Sequence, residues 1–145
     1  MTHEAELLWK FHKKHHTTKH PNPFLTAYAD EIQNVFDIIG APTLAFLLLP
    51  LPFDTLYFWS LFLIAVETVG HSGIRLYYTS ALTGFFFPAQ FNIAIEDHDL
   101  HHRYGWGRTF NYGKQTMFWD HLFGTKSERL EMHPTNIAWD HHLSA

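Results

Sequence analysis

The chain has 145 residues, 46% of them hydrophobic and 17% aromatic against only 17% charged, which is light on charge for a soluble domain and leaves an apolar surplus to be placed. A formal charge of -4 without a basic stripe gives no nucleic-acid footprint, and the lack of cysteine excludes disulfide scaffolds, thiolate metal sites and cysteine nucleophiles. Thirteen histidines are the outlying number, and any metal here must rest on nitrogen or oxygen ligands.

No Gly/Ser-rich or Pro-rich linker divides residues 1–145, so a single domain is expected, and the polar start lacks the apolar core of a secretory signal. Residues 7–16 carry apolar and polar positions at helical spacing, and Pro21 and Pro23 bar continuation. A second amphipathic stretch covers 27–36. Residues 35–69 are overwhelmingly apolar and predict a membrane-embedded helical hairpin turning at 49–54, with arms at 40–49 and 55–69. Each arm is shorter than the roughly 20 residues an upright bilayer crossing needs, and the first reaches that length only if 35–39 join it. All ten Lys and Arg lie at 10–19 or 75–129, the distribution expected of a hairpin whose two ends are cytoplasmic. The alternative is a pair of buried helices in a soluble, histidine-rich metal-binding protein. Further helices are expected over 71–83 and 91–103, separated by the apolar run 84–88. Residues 111–125 read as an aromatic, Gly-punctuated loop with a short helix, and 126–145 as a polar tail.

The histidines are patterned. One pentad, His12-Lys13-Lys14-His15-His16, is repeated as His98-Asp99-Leu100-His101-His102. On a helix, positions i, i+3 and i+4 share a face, with Cβ atoms about 5–6 Å apart, so each pentad is expected to aim three imidazoles at one point. The six rings should converge. Glu67 and His71 stand one helical turn apart at the end of the second hydrophobic arm, where an ionisable pair is costly and marks a functional site. Glu67 reads as a ligand or as the acceptor that orients a ligating ring. Seven imidazoles are too many for one ion and suit two. Imidazole alone does not choose between zinc, copper and iron, but tri-histidine clusters beside an apolar hairpin suggest lipid oxidation, in which the metal must draw an oxidant from dioxygen. Zinc hydrolysis is not favoured, since no HExxH occurs. His20, His133, His141 and His142 lack helical partners and read as solvated or locally bonded. His121 is left open as a neighbour of the ligands.

These residues resemble a known family. Glu96-Asp97-His98-Asp99-Leu100-His101-His102, then Asn111-Tyr112-Gly113 and Trp119-Asp120-His121-Leu122-Phe123-Gly124-Thr125, are similar to the HDxHH, NYG and WDxxFGT signature of the fatty acid hydroxylase/sterol desaturase superfamily. His71-Ser72-Gly73 resembles its HSG motif, and Trp9-Lys10-Phe11-His12-Lys13-Lys14-His15-His16 its central histidine box. The likeness runs in order over 7–125 and is greater to sterol desaturase-like members than to ceramide hydroxylases. It implies an all-α fold in which transmembrane helices carry a cytosolic histidine-rich helical cap around a di-iron centre. It also implies a multi-pass endoplasmic reticulum protein acting on a sterol or fatty-acyl lipid, by hydroxylation or desaturation. Electrons would come from NAD(P)H through a small haem carrier protein. By motif, His12, His15, His16, His71, His98, His101 and His102 would be ligands, the six pentad rings forming the catalytic cluster. Members carry an earlier HxxxH box, and only His3 falls on its second histidine, so His3 joins the expected metal set. The chain is therefore expected to begin inside that box, without the family's first hairpin. It should bind metal, less well below about pH 6, and turn over poorly, so a non-catalytic membrane protein that keeps the cluster is a competing reading. Ala29-Asp30-Glu31 stands where many members have His-Pro-x-Glu, which alters packing or access near the site.

Overall fold

The computed structural model describes residues 2–74, 88–107 and 109–131, and every regular element among them is helical. Most of the expected helix over 71–83 lies outside the described residues, as do 84–87 and the tail beyond Glu131 with His133, His141 and His142. Helix α1 spans Glu6–His12, and a 3-10 turn follows at His15–Thr17. The first pentad is thus helical throughout but tightens from α to 3-10 geometry between its first and its later histidines. Asn22 caps the turn Pro23–Leu25 by accepting the Phe24 N–H at 2.9 Å.

The hairpin is longer than its apolar stretch suggests. Asp30 accepts the Ile32 N–H at 3.0 Å and so starts α2, Glu31–Asn34, where the sequence pattern gave no sharp boundary. The helix then widens into a π-helical stretch, Val35–Gly40, and resumes as α3, Ala41–Leu48. Pro42 accounts for the widening. It has no N–H to give to Ile38, and its ring would strike that carbonyl in a regular α-helix, so the chain shifts to the longer i→i−5 register, as the Ala41 N–H does on Phe36. Residues 35–39 therefore do join the first arm, which becomes one helical run, Glu31–Leu48, of 18 residues. Pro50 and Pro52 turn the chain, and α4 returns over Phe53–Gly70, another 18 residues. At about 1.5 Å per residue each arm is about 27 Å long, close to the apolar thickness of a bilayer.

Neither arm is a core helix. Val66 is the one buried residue in the two 18-residue arms, and Phe36, Leu47, Leu48, Phe53, Phe58 and Ile64 stand outward with more than half their surface free. Helices of a soluble core would bury one face. This pair instead offers apolar surface on all sides, well beyond the patches a soluble monomer carries.

The interior lies in the other half, and it is polar. Among the described residues fifteen buried side chains are polar or charged, against seven that are apolar. Helix α5, Ile95–Arg103, runs through the middle with all residues from Ile95 to His102 buried. It begins four residues later than its pattern suggests, because the Asp97 carboxylate accepts the Ala94 N–H at 2.7 Å and fixes the first turn there. Buried carboxylates on α5 are matched by donors. Arg129 gives Asp97 two hydrogen bonds, at 2.9 and 2.8 Å, and Glu96 accepts the N–H groups of Leu130 and Glu131 at 2.6 Å each. Helix α6, Phe118–Phe123, is the short helix expected after the NYG sequence, and Gly124 ends it in the left-handed conformation at φ 66.

Candidate metal centre

Eight buried histidines meet where α1 and the turn after it, the later part of α5 and the end of α4 converge, and they fall into two groups of four. The first is His3, His12, His16 and His101; the second is His15, His71, His98 and His102. Within each group the ring nitrogens all lie within 4.8 Å of one another. This differs from the expectation that each pentad serves one point. Each gives its i and i+4 rings to one group and its i+3 ring to the other, so His15 sits with the second pentad and His101 with the first. The reason is angular. Residues at i and i+4 lie about 40° apart around a helix, whereas i+3 lies about 60° to the other side, and with two helices facing each other that side belongs to the partner's group.

Distances within the groups suit a shared cation. Nε2 atoms approach at 2.9 Å for His12 and His16, 3.4 Å for His15 and His71, 3.1 Å for His71 and His98, and 3.2 Å for His98 and His102. Ligand nitrogens about 2.1 Å from one ion stand about 3.0 to 3.4 Å apart between square and tetrahedral angles. Hydrogen bonding alone does not explain the chain of close nitrogens. The Glu67 carbonyl lies 2.7 Å from His71 Nδ1 and the Phe110 carbonyl 2.9 Å from His101 Nδ1. A carbonyl only accepts, so both rings carry their hydrogen on Nδ1 and turn a bare Nε2 lone pair inward, the arrangement typical of a ligating histidine. Both nitrogens of His3, and Nδ1 of His12, His16 and His102, are buried without a hydrogen-bond partner. His3, with neither ring nitrogen partnered, is left free to give one of them to a metal.

Electrostatics point the same way. Burial, reinforced by neighbouring imidazoles, pushes His3 and His15 down to about 3, and burial is also the largest cause for His101, at about 4. His16, His98 and His102 are held far below the ordinary histidine value, and His12 and His71 are lowered, all chiefly by burial. The rings therefore stay neutral, as ligands must. For His3, His15 and His101, proton competition moves well below the pH 6 expected from unperturbed histidine.

Other candidates fall outside the two groups. The Glu67 side chain pairs with Lys114 at 3.3 Å, and only its backbone carbonyl serves His71. His20 is exposed beside Asp99, at 3.4 Å. His121 is exposed and meets the Gln90 carbonyl at 3.2 Å, away from the site.

Residue types alone did not single out the scaffold that aims the rings. Asp120 accepts the N–H groups of Tyr112 and Gly113 at 2.7 and 2.8 Å and the Thr125 hydroxyl at 2.6 Å. Asn111, at φ 52, donates to the Asp97 carbonyl at 3.2 Å and accepts the Ser127 N–H at 2.8 Å. Together they fold the loop that offers the Phe110 carbonyl to His101. A Cβ on Gly113 would strike the Thr116 carbonyl and lie 2.8 Å from Asp120 Oδ2, so only glycine fits there. The aromatic walls are Trp9, 5.1 Å from the His3 ring and 5.6 Å from His16, and Tyr112, 5.6 Å from His3. Burial and Glu4 raise the Tyr112 phenol, which donates to Glu4 at 2.7 Å.

A half-open cavity of about 570 Å³ runs from between the hairpin arms to His15. Ile38, Ala41, Leu63 and Ile64 line its apolar end, and Gln33, Asn34, Glu67 and Lys114 its polar end. A space of only about 10 Å³ lies against His71 and His98. Both open on the second group alone.

The family follows from sequence comparison. The model of the fatty acid hydroxylase family matches residues 1–125. The chain belongs to the fatty acid hydroxylase family. It is also 46% identical over 142 residues to the fatty acid hydroxylase vlmA of Lecanicillium sp., a match covering 93% of this chain and 39% of that protein. The chain thus spans about two fifths of the length of that curated relative. No solved structure matches.

Proposed function

We propose that the eight histidines hold two iron ions and that the site hydroxylates, or desaturates, a fatty-acyl or sterol lipid drawn from the membrane. The observation that carries this reading is the pair of four-histidine groups, the second of which meets, through His15, the inner end of a cavity that begins between two apolar arms. Bound iron would supply a dioxygen-derived oxidant, which an unactivated C–H bond requires because it offers nothing for an acid or base to grip. The protein's part is positional. Ile38, Ala41, Leu63 and Ile64 hold the chain of an apolar substrate, while the polar end of the cavity takes its head near His15. Burial of the cluster keeps water from the reacting centre. In this reading the arms span the endoplasmic reticulum membrane with the histidine cap on the cytosolic side, and a small haem protein delivers electrons from NAD(P)H. The fatty acid hydroxylase name of the vlmA relative supports the acyl choice over the sterol. The test is to load the chain with iron in lipid nanodiscs, supply the haem carrier and its reductase, and analyse products by mass spectrometry. Incorporation of one oxygen atom from labelled dioxygen into an acyl or sterol substrate is expected. Stoichiometric iron without any oxidised product would favour a non-catalytic role for the cluster.

A further inference from the structure

Among the described residues, the large cavity and the small space against His71 and His98 are lined by different side chains, with two exceptions. Glu67 and Lys114 face both. They pair at 3.3 Å, Lys114 Nζ donating to Glu67 Oε2, so an ion pair forms the threshold between the cavity and the second histidine group. Each partner is brought there by a fixed stretch of backbone. Glu67 lies on α4 one turn before His71, and Lys114 follows Gly113, whose N–H is held by Asp120 at 2.8 Å. The hydrogen-bonding capacity of the pair is only partly used. An ammonium has three hydrogens and a carboxylate two oxygens, and this contact engages one of each, which leaves both a donor and an acceptor for whatever enters the cavity. The charge, by contrast, is already balanced. Lys114 is the one Lys or Arg among the described residues that line the cavity, against two carboxylates, Glu67 and Asp37.

We propose that Glu67 and Lys114 together determine which lipid head the site accepts, taking a neutral head that both donates and accepts hydrogen bonds, such as an acyl amide or an alcohol, and refusing a free carboxylate. This selectivity rests on the reading of the cavity as the lipid site. A neutral amide bridges the pair, its carbonyl oxygen accepting from Lys114 and its N–H donating to Glu67. A carboxylate would gain a bond to Lys114 but set its charge beside Glu67, with no further Lys or Arg from the described lining to offset it, and like charges placed together in a partly buried site are strongly disfavoured. The refusal also protects the histidine cluster. A carboxylate is itself a good iron ligand, and one admitted at this threshold would compete with the second group for its ion.

The experiment compares hexadecanamide with hexadecanoate, which differ in charge but little in shape. Binding of the isotope-labelled forms to the iron-loaded chain in lipid nanodiscs is counted above partition into empty nanodiscs, without dioxygen so that neither is consumed, and at a pH where the acid is ionised. The unmodified chain should hold the amide about tenfold more tightly or better. Glu67→Gln keeps the backbone carbonyl that serves His71 but leaves Lys114 unopposed, and should move the ratio of the two affinities toward the carboxylate by about tenfold or more. Lys114→Met leaves Glu67 unopposed and should move the ratio further toward the amide. Opposite movements from the two halves of one pair distinguish a head determinant from general damage to the cavity, which would weaken both ligands and leave their ratio alone. A ratio unchanged within about twofold in Glu67→Gln, movement in the same direction in both variants, or tighter binding of the carboxylate by the unmodified chain would overturn the proposal. Should Glu67→Gln fail to fold, Lys114→Met decides the matter: movement toward the amide supports the proposal, and a fixed ratio or movement toward the carboxylate overturns it. An unmodified chain that holds neither ligand overturns the reading of the cavity as a lipid site, which separates that failure from this one.

Discussion

At the scale of single residues, the side chains that aim the histidines matter as much as the histidines. Asp120 is buried and accepts three hydrogen bonds, two of them from backbone N–H groups. Asp120→Ala would leave those donors unpaired at a cost of about 3 kcal/mol or more, and would release the Phe110 carbonyl from His101. Thermal unfolding of the variant should show the loss, accompanied by weaker binding at the first group. Gly113→Ala should do the same through a clash that neither the Thr116 backbone nor Asp120 can yield to. By contrast, His121→Ala should leave metal content unchanged, since that ring is exposed and meets the Gln90 carbonyl and the Phe91 ring rather than either histidine group. Much at this scale is legible in the sequence: the two pentads give six of the eight rings, because i, i+3, i+4 spacing is a rule of the helix itself, while His71 follows from its place one turn after Glu67 and His3 only from the family resemblance. The division of the rings into groups is not legible. It depends on how two helices face each other, which no spacing within one helix encodes.

At the scale of elements, the hairpin is the part most plainly written in the sequence, as an apolar stretch bare of Lys and Arg. Its length was harder to read. The apolar pattern begins at 35, but the helix begins at Asp30, where a capping carboxylate sets the boundary, and it passes Pro42 by widening to π geometry. That widening makes the first arm long enough to cross a bilayer. A reporter fused at Asp54, in the first turn of α4, should therefore lie on the opposite side of the membrane from one fused at Lys126. Both on one side would rule out a spanning hairpin.

At the scale of the molecule, the described interior is built of polar groups around the histidines, so the cap has little hydrophobic core to fall back on. Metal binding should then be folding energy. Chelation should lower the unfolding temperature of the cap sharply, whereas a cap stable without metal would show no such shift. The metal-free chain should also depend on pH in a definite direction. His3, His15 and His101 have folded values of about 3 to 4 against about 6.5 when unfolded. The unfolded chain thus takes up protons that the folded one refuses, and stability must fall as pH drops from about 6.5 toward about 4, levelling off below. Unfolding temperatures that rose or stayed flat over that window would contradict the burial of these rings. The central claim is that two metal ions are held by histidines shared between the pentads, and it can be met directly by counting tightly bound ions in two triple variants. His12→Ala with His16→Ala and His101→Ala removes the first group across pentads and should leave one ion at the affinity of the unmodified chain. His12→Ala with His15→Ala and His16→Ala removes the first pentad, cuts into both groups, and should leave none at that affinity. The reverse outcome, one tight ion after loss of the pentad and none after loss of the group, would show that each pentad holds its own metal and that the grouping described is wrong.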